Sequence, residues 1–189
     1  VPACQSIVKK AIAARLGGKY GLNTLPEKGA LHQVQFAIMG DQATLFLDTS
    51  GPGLHKRGYR AQGVAAPLRE TLAAGLVLLS RYKGRDPLCD PFCGSGTIPI
   101  EAALIAKNRA PGLNRSFSAQ KWDWLDKEHW LTAAGEAMDK EFDDAYEIWG
   151  GDIDPEAVAL ARHNAQLAEV DDVVRFDVDN ATRFHWGGL

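Results

Sequence analysis

A glycine turn between a short apolar stretch and a helical stretch constrains this chain more than any other feature. Residues 89–97 read Cys-Asp-Pro-Phe-Cys-Gly-Ser-Gly-Thr, and the nine residues that follow have the apolar spacing of a helix. Gly94 and Gly96 lack a Cβ atom, so the backbone there can approach a ligand, and a helix N-terminus offers unpaired N–H groups to it. The stretch therefore predicts a strand, a loop and a helix, with a nucleotide-like ligand on the loop.

The spacing of this turn separates two classes of nucleotide-like ligand. A dinucleotide loop has the pattern Gly-x-Gly-x-x-Gly, but here Pro99 occupies the place of the third glycine. Asp90 at the strand end would repel phosphates, whereas a carboxylate suits the sulfonium and the α-amino group of S-adenosylmethionine. We therefore predict S-adenosylmethionine as the cofactor, with a nicotinamide-dependent Rossmann enzyme as the weaker alternative.

Two more strands are predicted after this helix. Residues 148–153 and 173–178 have strand-like apolar patterns, and residues 155–167 between them form a helix with Pro155 in its first turn. The order strand, helix, strand, helix, strand predicts an α/β fold with a Rossmann-like parallel sheet, whose ligand lies at the carboxyl ends of the strands.

Acidic and amide side chains follow these strands at positions suited to a nucleoside. Asp152 ends the second strand, where a carboxylate can accept hydrogen bonds from both ribose hydroxyls; an ordinary surface carboxylate is the alternative. At the end of the third strand and just after it, Asp177, Asp179 and Asn180 are candidates for contact with the adenine amine. We favour Asn180 there, with a solvated loop as the alternative. Asp154 is more simply explained as a helix cap.

The first half of the chain has a different organisation. Residues 2–16 have helical spacing, and Gly17-Gly18 is expected to end that helix. Residues 33–38 and 43–48 alternate as a hairpin around Gly40-Asp41.

Two further helical segments are expected. Residues 67–79 have the apolar spacing of a helix. Residues 110–146 are rich in tryptophan, lysine and acidic residues, and we interpret them as a mostly helical insertion in which Trp122, Trp124 and Trp130 belong to the core rather than to a stacking surface.

Charge divides the chain more sharply than its total of −3 suggests. Residues 1–85 hold 12 Lys/Arg and 4 Asp/Glu, a balance of +8, whereas residues 86–189 hold 9 and 20, a balance of −11. A basic half predicts a polyanionic partner on the N-terminal side, although chance variation of a solvated surface explains the charge alone equally well.

A basic segment with one aromatic ring is the candidate contact for that partner. Residues 54–60 read Leu-His-Lys-Arg-Gly-Tyr-Arg, and such a cluster can neutralise phosphates while the ring stacks on a base. A charged linker is the alternative. The candidate RNA-binding residues are His55, Lys56, Arg57, Tyr59 and Arg60.

Cysteine use and hydropathy suggest the cellular environment. Cys4, Cys89 and Cys93 cannot form a closed disulfide framework. No His or Cys pair completes a metal site with Cys89 and Cys93, so we expect reduced packing residues and no metal. No stretch approaches the roughly 20 apolar residues of a membrane span, and no secretory signal is visible. We predict a cytoplasmic protein without a membrane partner.

Five motifs in order make the chain resemble a known family, the THUMP-associated RNA methylases, which are also described as N6-adenine-specific DNA methylases. The bacterial members of that family include the large-subunit rRNA guanine-N2 methyltransferases. The matching motifs are Leu54-His-Lys-Arg-Gly-Tyr-Arg, Ala66-Pro-Leu-Arg-Glu-Thr-Leu-Ala-Ala, Asp90-Pro-Phe-Cys-Gly-Ser-Gly-Thr with Glu101-Ala-Ala, Ala110-Pro-Gly-Leu-Asn-Arg-Ser-Phe, and Gly151-Asp-Ile-Asp-Pro.

The resemblance implies a set of cofactor-binding residues. Residues 67–71 would close over the pocket for S-adenosylmethionine, the methyl donor. The methionine end of the donor would be held by Asp90, Phe92, Gly94 and Gly96, and Thr97 belongs to the same cofactor-binding set. The ribose and adenine would be held by Asp152 and Ile153. The edge of the adenine would contact Asn180.

The resemblance also implies a domain organisation. Residues 1–53 resemble the C-terminal part of a THUMP RNA-binding domain, residues 54–85 form a basic linker and helix, and residues 86–189 form the N-terminal part of a methyltransferase domain. We expect the chain to be a piece of a longer protein, because three parallel strands leave exposed edges.

The implied activity is methylation of a nucleic-acid base, with guanine N2 of ribosomal RNA as the first expectation. Adenine N6, a DNA or tRNA substrate, and a non-catalytic RNA-binding module stay open as alternatives. Family members place Asn/Asp-Pro-Pro-Tyr/Phe against the target base, and this sequence contains no Pro-Pro. The catalytic residues are therefore unassigned, and these residues alone are expected to be inactive.

Overall fold

The computed structural model describes residues 2–60 and 67–183, and these divide into two compact units between Leu31 and His32. The first unit contains helix α1 (Pro2–Tyr20). This helix continues through Gly17-Gly18, so the predicted end there is wrong. It ends instead before Gly21, whose φ of 65° is the left-handed conformation that commonly terminates helices.

The second unit begins with an antiparallel hairpin. Strands β1 (Gln33–Met39) and β2 (Gln42–Asp48) pair so that Met39 lies opposite Gln42. Gly40 and Asp41 both have positive φ, 54° and 61°, as the tight turn between twisted strands requires. The predicted hairpin is confirmed.

A three-stranded parallel sheet forms the rest of the framework. Strands β3 (Leu88–Asp90), β4 (Ile148–Asp152) and β5 (Val174–Val178) lie in the order β3-β4-β5. Helices α2 (Glu70–Leu79), α3 (Thr97–Ala106) and α5 (Pro155–Ala168) accompany the strands. The predicted α/β fold with a parallel sheet is confirmed.

The core of this unit lies around α3 and the sheet. Eight of the ten α3 residues are buried, because α3 packs against α2, α5 and the sheet. The core side chains around them include Ile100, Ile148, Val158, Ala161 and Phe176. A helix buried on nearly all sides gives the glycine loop before it a rigid support.

The insertion is less helical than its composition suggests. It contains a 3₁₀ turn (Ser118–Lys121) and one helix, α4 (Lys127–Met138), whose N-terminus Asp126 caps by accepting a hydrogen bond from the Glu128 N–H. The expectation that residues 110–146 are mostly helical is therefore wrong.

The tryptophans of the insertion divide between core and surface. Trp122 is buried and stacks between His32 and Trp124, with ring centroids 4.8 and 5.3 Å away. Trp124 is exposed, which contradicts its assignment to the core. In the described part of the chain, no helix is both long enough and apolar enough to cross a membrane.

Candidate donor-binding site

The carboxyl ends of the parallel strands bring the predicted acidic residues to one edge. Asp90 ends β3 and Asp152 ends β4. The Asp179 N–H, just beyond β5, donates to the Asp152 carbonyl oxygen at 3.0 Å. The three strand ends are therefore adjacent, as the parallel order requires.

Asp152 also organises the glycine loop. One carboxylate oxygen accepts a hydrogen bond from the Gly94 N–H at 2.9 Å, and the other accepts from the Asp154 N–H at 3.0 Å. The Cys93 N–H donates to the Gly151 carbonyl at 2.8 Å. These bonds hold the loop after β3 against the end of β4. Part of the Gly-Asp-Ile-Asp pattern therefore has a structural role, because its residues bind the loop. Asp154 caps α5, as predicted, through its bond from the Glu156 N–H at 2.9 Å.

The two loop glycines are required for different reasons. Gly96 has φ 81°, and a Cβ there would lie 2.9 Å from both Ala161 Cβ and Phe176 Cζ, so the packed core excludes a side chain. Gly94 has φ 53°, but a Cβ there would meet no atom within 4 Å. The left-handed backbone favours glycine at 94, and the space beside it is open.

The electrostatics of this edge are set by its carboxylates. Burial raises the pKa of Asp90, the neighbouring Asp152 charge raises it further, and the hydrogen bond from the Phe92 N–H at 3.1 Å opposes both effects. A bound cation would oppose both effects on the pKa of Asp90, since a nearby positive charge favours the ionised carboxyl.

The cysteines beside the loop are protonated thiols. Burial, reinforced by Asp90 and Asp152, raises the pKa of Cys93 to about 12, and burial also raises the pKa of Cys89. Metal binding requires the thiolate. Across residues 2–60 and 67–183, no group of three or more His, Cys, Asp or Glu side chains is arranged to hold a metal ion.

Two apolar side chains are exposed at the same edge. Phe92 is 77% exposed and Ile153 is 71% exposed, and they follow β3 and β4 respectively. Large apolar side chains that open to solvent beside a ligand-binding loop offer surface to an apolar part of a ligand. Their predicted contacts with the donor stay predictions.

Asn180 and Thr97 are placed less favourably for direct contact with a ligand. Asn180 is exposed, but its side-chain oxygen accepts bonds from the Thr182 N–H at 3.0 Å and the Thr182 hydroxyl at 2.8 Å. The buried Thr97 hydroxyl accepts a bond from Arg60 at 3.1 Å. The structure thus directs the Thr97 hydroxyl toward Arg60, a partner that the sequence interpretation did not assign to it.

The basic segment requires a larger correction. Tyr59 is 2% exposed and its hydroxyl donates to Glu101 at 3.1 Å, so the interpretation of this ring as a base-stacking surface is wrong. Arg57 pairs with the buried Glu101 carboxylate at 3.3 Å, and Arg60 pairs with the buried Glu70 at 2.8 Å. Three of the five candidate RNA-binding residues thus build the fold.

These pairs have a clear electrostatic cause. Burial raises the pKa of Glu101, while the Arg57 charge and hydrogen bonds from Arg57 and Tyr59 oppose that rise. Burial also raises the pKa of Tyr59, with the Glu101 charge adding to the effect. A buried carboxylate needs such partners, since an unpaired one is costly. The remaining basic candidates, His55 and Lys56, are half-buried and exposed respectively.

Three structural residues escaped the sequence interpretation. Glu70 and Glu101 lie within apolar helical runs, and an acidic residue in such a run signals a buried basic partner. Arg115 donates to the backbone carbonyls of Ser50, Pro52, Gly53 and Lys56 and thereby holds the segment after β2. These four carbonyl partners of Arg115 lie more than fifty residues away in the chain, so no local sequence pattern predicts them.

Comparisons with known proteins give the family. Residues 57–188 match UPF0020, described as an RMKL-like methyltransferase domain. The chain is similar to YpsC of Bacillus subtilis (strain 168), provisionally named an RNA methyltransferase, with 46% identity over 93% of this chain and 46% of that protein. It is also similar to ribosomal RNA large subunit methyltransferase K/L of Psychromonas ingrahamii, with 43% identity over 76% of this chain and 20% of that protein. The chain thus spans less than half of these relatives.

Two crystal structures are similar over nearly the whole chain. One is a predicted N6-adenine-specific DNA methylase from Listeria monocytogenes str. 4b F2365, with a TM-score of 0.93, 48% identity and coverage of 99% of this chain and 50% of that one. The other is SMU.472, a provisionally assigned methyltransferase in complex with S-adenosylhomocysteine, with a TM-score of 0.88, 38% identity and coverage of 98% and 50%. The predicted methyltransferase fold is confirmed.

The family match covers more than half of this chain, and it includes the glycine loop, the strand-end carboxylates and the buried pairs of the basic segment. The predicted cofactor is the one that methyltransferases of this fold use, and SMU.472 contains its demethylated product. The resemblance to RNA methylases is therefore confirmed at the level of the methyltransferase domain. The chain belongs to the UPF0020 family of RMKL-like methyltransferase domains.

Proposed function

We propose that this chain forms the donor-binding part of an S-adenosylmethionine-dependent RNA methyltransferase. The observation that carries the proposal is the placement of Asp90 and Asp152 on either side of an open glycine loop, with Gly94 bonded to Asp152. This arrangement favours a ligand with a cationic methionine end and a ribose, and it disfavours a pyrophosphate.

Each carboxylate has a defined task in this proposal. S-adenosylmethionine supplies a methyl group that its sulfonium makes electrophilic. An ionised Asp90 stabilises the positive charge of the methionine end. Asp152 accepts hydrogen bonds from the ribose hydroxyls, because each of its oxygens retains acceptor capacity beyond the single backbone N–H that it already binds. Phe92 and Ile153 border the donor, and the Asn180 backbone and side-chain amide border its adenine.

The proposed substrate is RNA, with guanine N2 of ribosomal RNA as the target. The K/L relatives are named ribosomal RNA methyltransferases, and the basic excess of the first 85 residues favours a polyanion. His55 and Lys56 are the side chains of the basic segment that stay available for phosphates, since Arg57 and Arg60 are paired internally. The THUMP-like interpretation of residues 1–53 belongs to the same proposal.

A DNA substrate is the second candidate, because the similar Listeria protein is titled an N6-adenine-specific DNA methylase. The 189 residues contain no Pro-Pro pair, so we place the contacts to the target base outside them. The same donor site serves either base, and only the product distinguishes them.

Calorimetric titration with S-adenosylhomocysteine tests the donor site. Asp152→Asn keeps an acceptor near Gly94 but removes the charge, and we expect affinity to fall about 10–100-fold, the scale of a hydrogen bond to a charged group. Asp154→Asn is the matched control, since asparagine also caps helices and the same charge is lost at the same edge. Absence of binding by the unaltered chain, or equal losses in both variants, contradicts the proposal.

The substrate is tested with the full-length natural protein. It is incubated with radiolabelled donor and either unmodified ribosomal RNA or DNA, and the product is digested to nucleosides for mass spectrometry. We expect N2-methylguanosine from RNA. N6-methyladenine in DNA establishes the second candidate, and RNA binding without any label supports a non-catalytic module.

A further inference from the structure

Arg60 connects the starts of helices α2 and α3, and α3 directly follows the glycine loop. Its Nε donates to the Glu70 carboxylate at 2.8 Å, at the first residue of α2. One terminal nitrogen donates to both the Leu68 carbonyl at 2.9 Å and the Thr97 hydroxyl at 3.1 Å, at the first residue of α3. The partners Glu70 and Thr97 are both buried.

We propose that Arg60 is a positioning residue for the methyl donor, acting through Thr97 on the loop that carries Gly94 and Gly96. This inference rests on the proposed donor site and adds a residue to it. It assigns to the basic segment a role in donor binding that differs from the contact with RNA that its charge suggests.

The link from Arg60 to the loop is short and rigid. Thr97 directly follows Gly96, whose carbonyl accepts the Ile100 N–H at 3.0 Å in the first turn of α3. Gly96 in turn donates to the Cys93 carbonyl at 2.8 Å, so the loop has little freedom apart from a movement of the whole helix start. Fixing Thr97 therefore fixes the direction in which the loop presents its N–H groups.

Arginine suits this position because its planar guanidinium can bind several acceptors in fixed directions. Lysine retains the positive charge but has a compact ammonium that cannot reproduce the fork. The contacts of Arg60 also join residue 60 to residue 97 across 37 positions of sequence, which links the basic segment to the donor loop.

Arg109 provides a matched control in the same molecule. It is a buried arginine with two carboxylate partners, Glu141 and Glu169, whereas Arg60 is half-buried and has one, Glu70. It lies three residues beyond the C-terminal end of α3, whereas Thr97 is its first residue. Loss of the Arg109 fork removes two ion pairs without removing a contact at the start of α3.

The experiment measures S-adenosylhomocysteine affinity by calorimetry in five variants of the chain, and thermal denaturation first shows that each is folded at the titration temperature. Arg60→Lys and Thr97→Val are expected to weaken binding on the order of tenfold each, and the double variant by much less than the product of the two. Thr97→Ser keeps the hydroxyl, so we expect its affinity to lie within about twofold of that of the unaltered chain. We expect the same of Arg109→Lys, even if this variant lowers the midpoint of thermal unfolding as much as Arg60→Lys does.

The outcomes separate this inference from the proposed function. Normal affinity in both Arg60→Lys and Thr97→Val, with a loss only in Asp152→Asn, overturns the role of Arg60 and leaves the donor site intact. Equal losses in Arg60→Lys and Arg109→Lys also overturn it, because they indicate a general effect of stability. If Arg60→Lys does not fold, the contrast between Thr97→Val and Thr97→Ser decides, since the hydroxyl is the atom that receives the Arg60 bond. A chain that binds no S-adenosylhomocysteine overturns both proposals.

Discussion

The hairpin and the parallel sheet are both correctly paired β-structures, yet they are stabilised in opposite ways. Most side chains of β1 and β2 are exposed, including Val34, Met39 and Phe46, and the two strands contact chiefly each other. The strands β3, β4 and β5 are covered by helices, and their apolar side chains join one core. The hairpin therefore depends on local pairing and its attachments, whereas the sheet depends on burial.

This difference explains where a ligand site can form. The donor loop begins and ends on buried elements, so its backbone is held by Asp152 on one side and by the α3 core on the other. The hairpin is held at its exit, where Asp48 accepts the N–H groups of Ser50 and Gly51 and where the Ala119 N–H donates to the Thr49 carbonyl. A preorganised site needs the first kind of support.

The largest effect that tests this comparison is the loss of a core ring against the loss of a hairpin ring. Phe176 is 4% exposed and packs beside Gly96 and Gly150, whereas Phe46 is 52% exposed. We expect Phe176→Ala to lower the free energy of unfolding by about 3–5 kcal/mol. For Phe46→Ala we expect less than about 1 kcal/mol. Urea denaturation monitored by tryptophan fluorescence measures both. Similar losses in the two variants would mean that the hairpin is part of the same core.

The next effect concerns the two loop glycines. Gly96→Ala combines a left-handed backbone with a Cβ in contact with Ala161 and Phe176, so we expect a loss of about 2–4 kcal/mol. Gly94→Ala has the backbone cost alone, about 1 kcal/mol. Gly40→Ala in the hairpin turn is the control, since its φ is 54° and no atom lies near its Cβ position. The denaturation midpoints should separate Gly96→Ala from the other two variants, and three equal shifts would contradict the packing argument.

A smaller effect is expected where the hairpin joins the rest of the unit. Arg115→Lys leaves a cation near Phe117 but cannot hold the four carbonyls of residues 50–56, and we expect a local loss of about 1–2 kcal/mol. Hydrogen exchange of the Lys56 and Ala119 amides should accelerate about 5–30-fold. The amides paired within β1 and β2 serve as the control. Equal acceleration of those amides would show that hairpin and attachment open together.

The smallest effect is electrostatic and has the opposite sign. Because the folded-state pKa of Asp90 is raised, the proton on this carboxyl stabilises the fold below the ordinary pKa of 3.8, and that contribution is lost as pH rises through the folded-state value. Asp90→Asn keeps an acceptor for the Phe92 N–H and removes the charge, so we expect it to raise stability at pH 7 by about 0.5–1 kcal/mol and to weaken donor binding.

Denaturation at pH 4 and pH 7 checks this sign. The difference in stability between Asp90→Asn and the unaltered chain should be larger at pH 7, where a larger fraction of the Asp90 carboxyl is ionised than at pH 4. A destabilised Asp90→Asn would mean that the charge contributes to folding rather than to the ligand.

The elements with strong local patterns could be predicted from sequence. The hairpin turn requires positive φ at Gly40-Asp41, the helix after β4 has Asp154 as its cap and Pro155 behind it, and the glycine loop has a fixed place between strand and helix. These features are determined by residues close together in the chain, so the local sequence is sufficient to predict them. The placement of Asp90 and Asp152 at one edge then follows from the parallel order alone.

The residues that were misjudged are those decided by distant partners. In the sequence, Tyr59 has the surroundings of a base-stacking ring, because it lies among basic residues. In the structure its hydroxyl donates to the buried Glu101, which lies 42 positions later in the chain. Arg57 pairs across 44 positions, and Arg115 in the insertion binds the Lys56 carbonyl across 59 positions. Charge patterns identify such residues as polar, but they do not show whether the fold places a buried carboxylate next to them.

We propose that the donor binds at the carboxyl edge of the parallel sheet and not at the hairpin. Titration of the ¹⁵N-labelled chain with S-adenosylhomocysteine, followed by amide chemical shifts, tests this most directly. We expect saturable shifts at Phe92, Gly94, Gly96 and Ile153, with the β1 and β2 amides unchanged. Saturable shifts confined to the hairpin, or none at the glycine loop at any concentration, would contradict it.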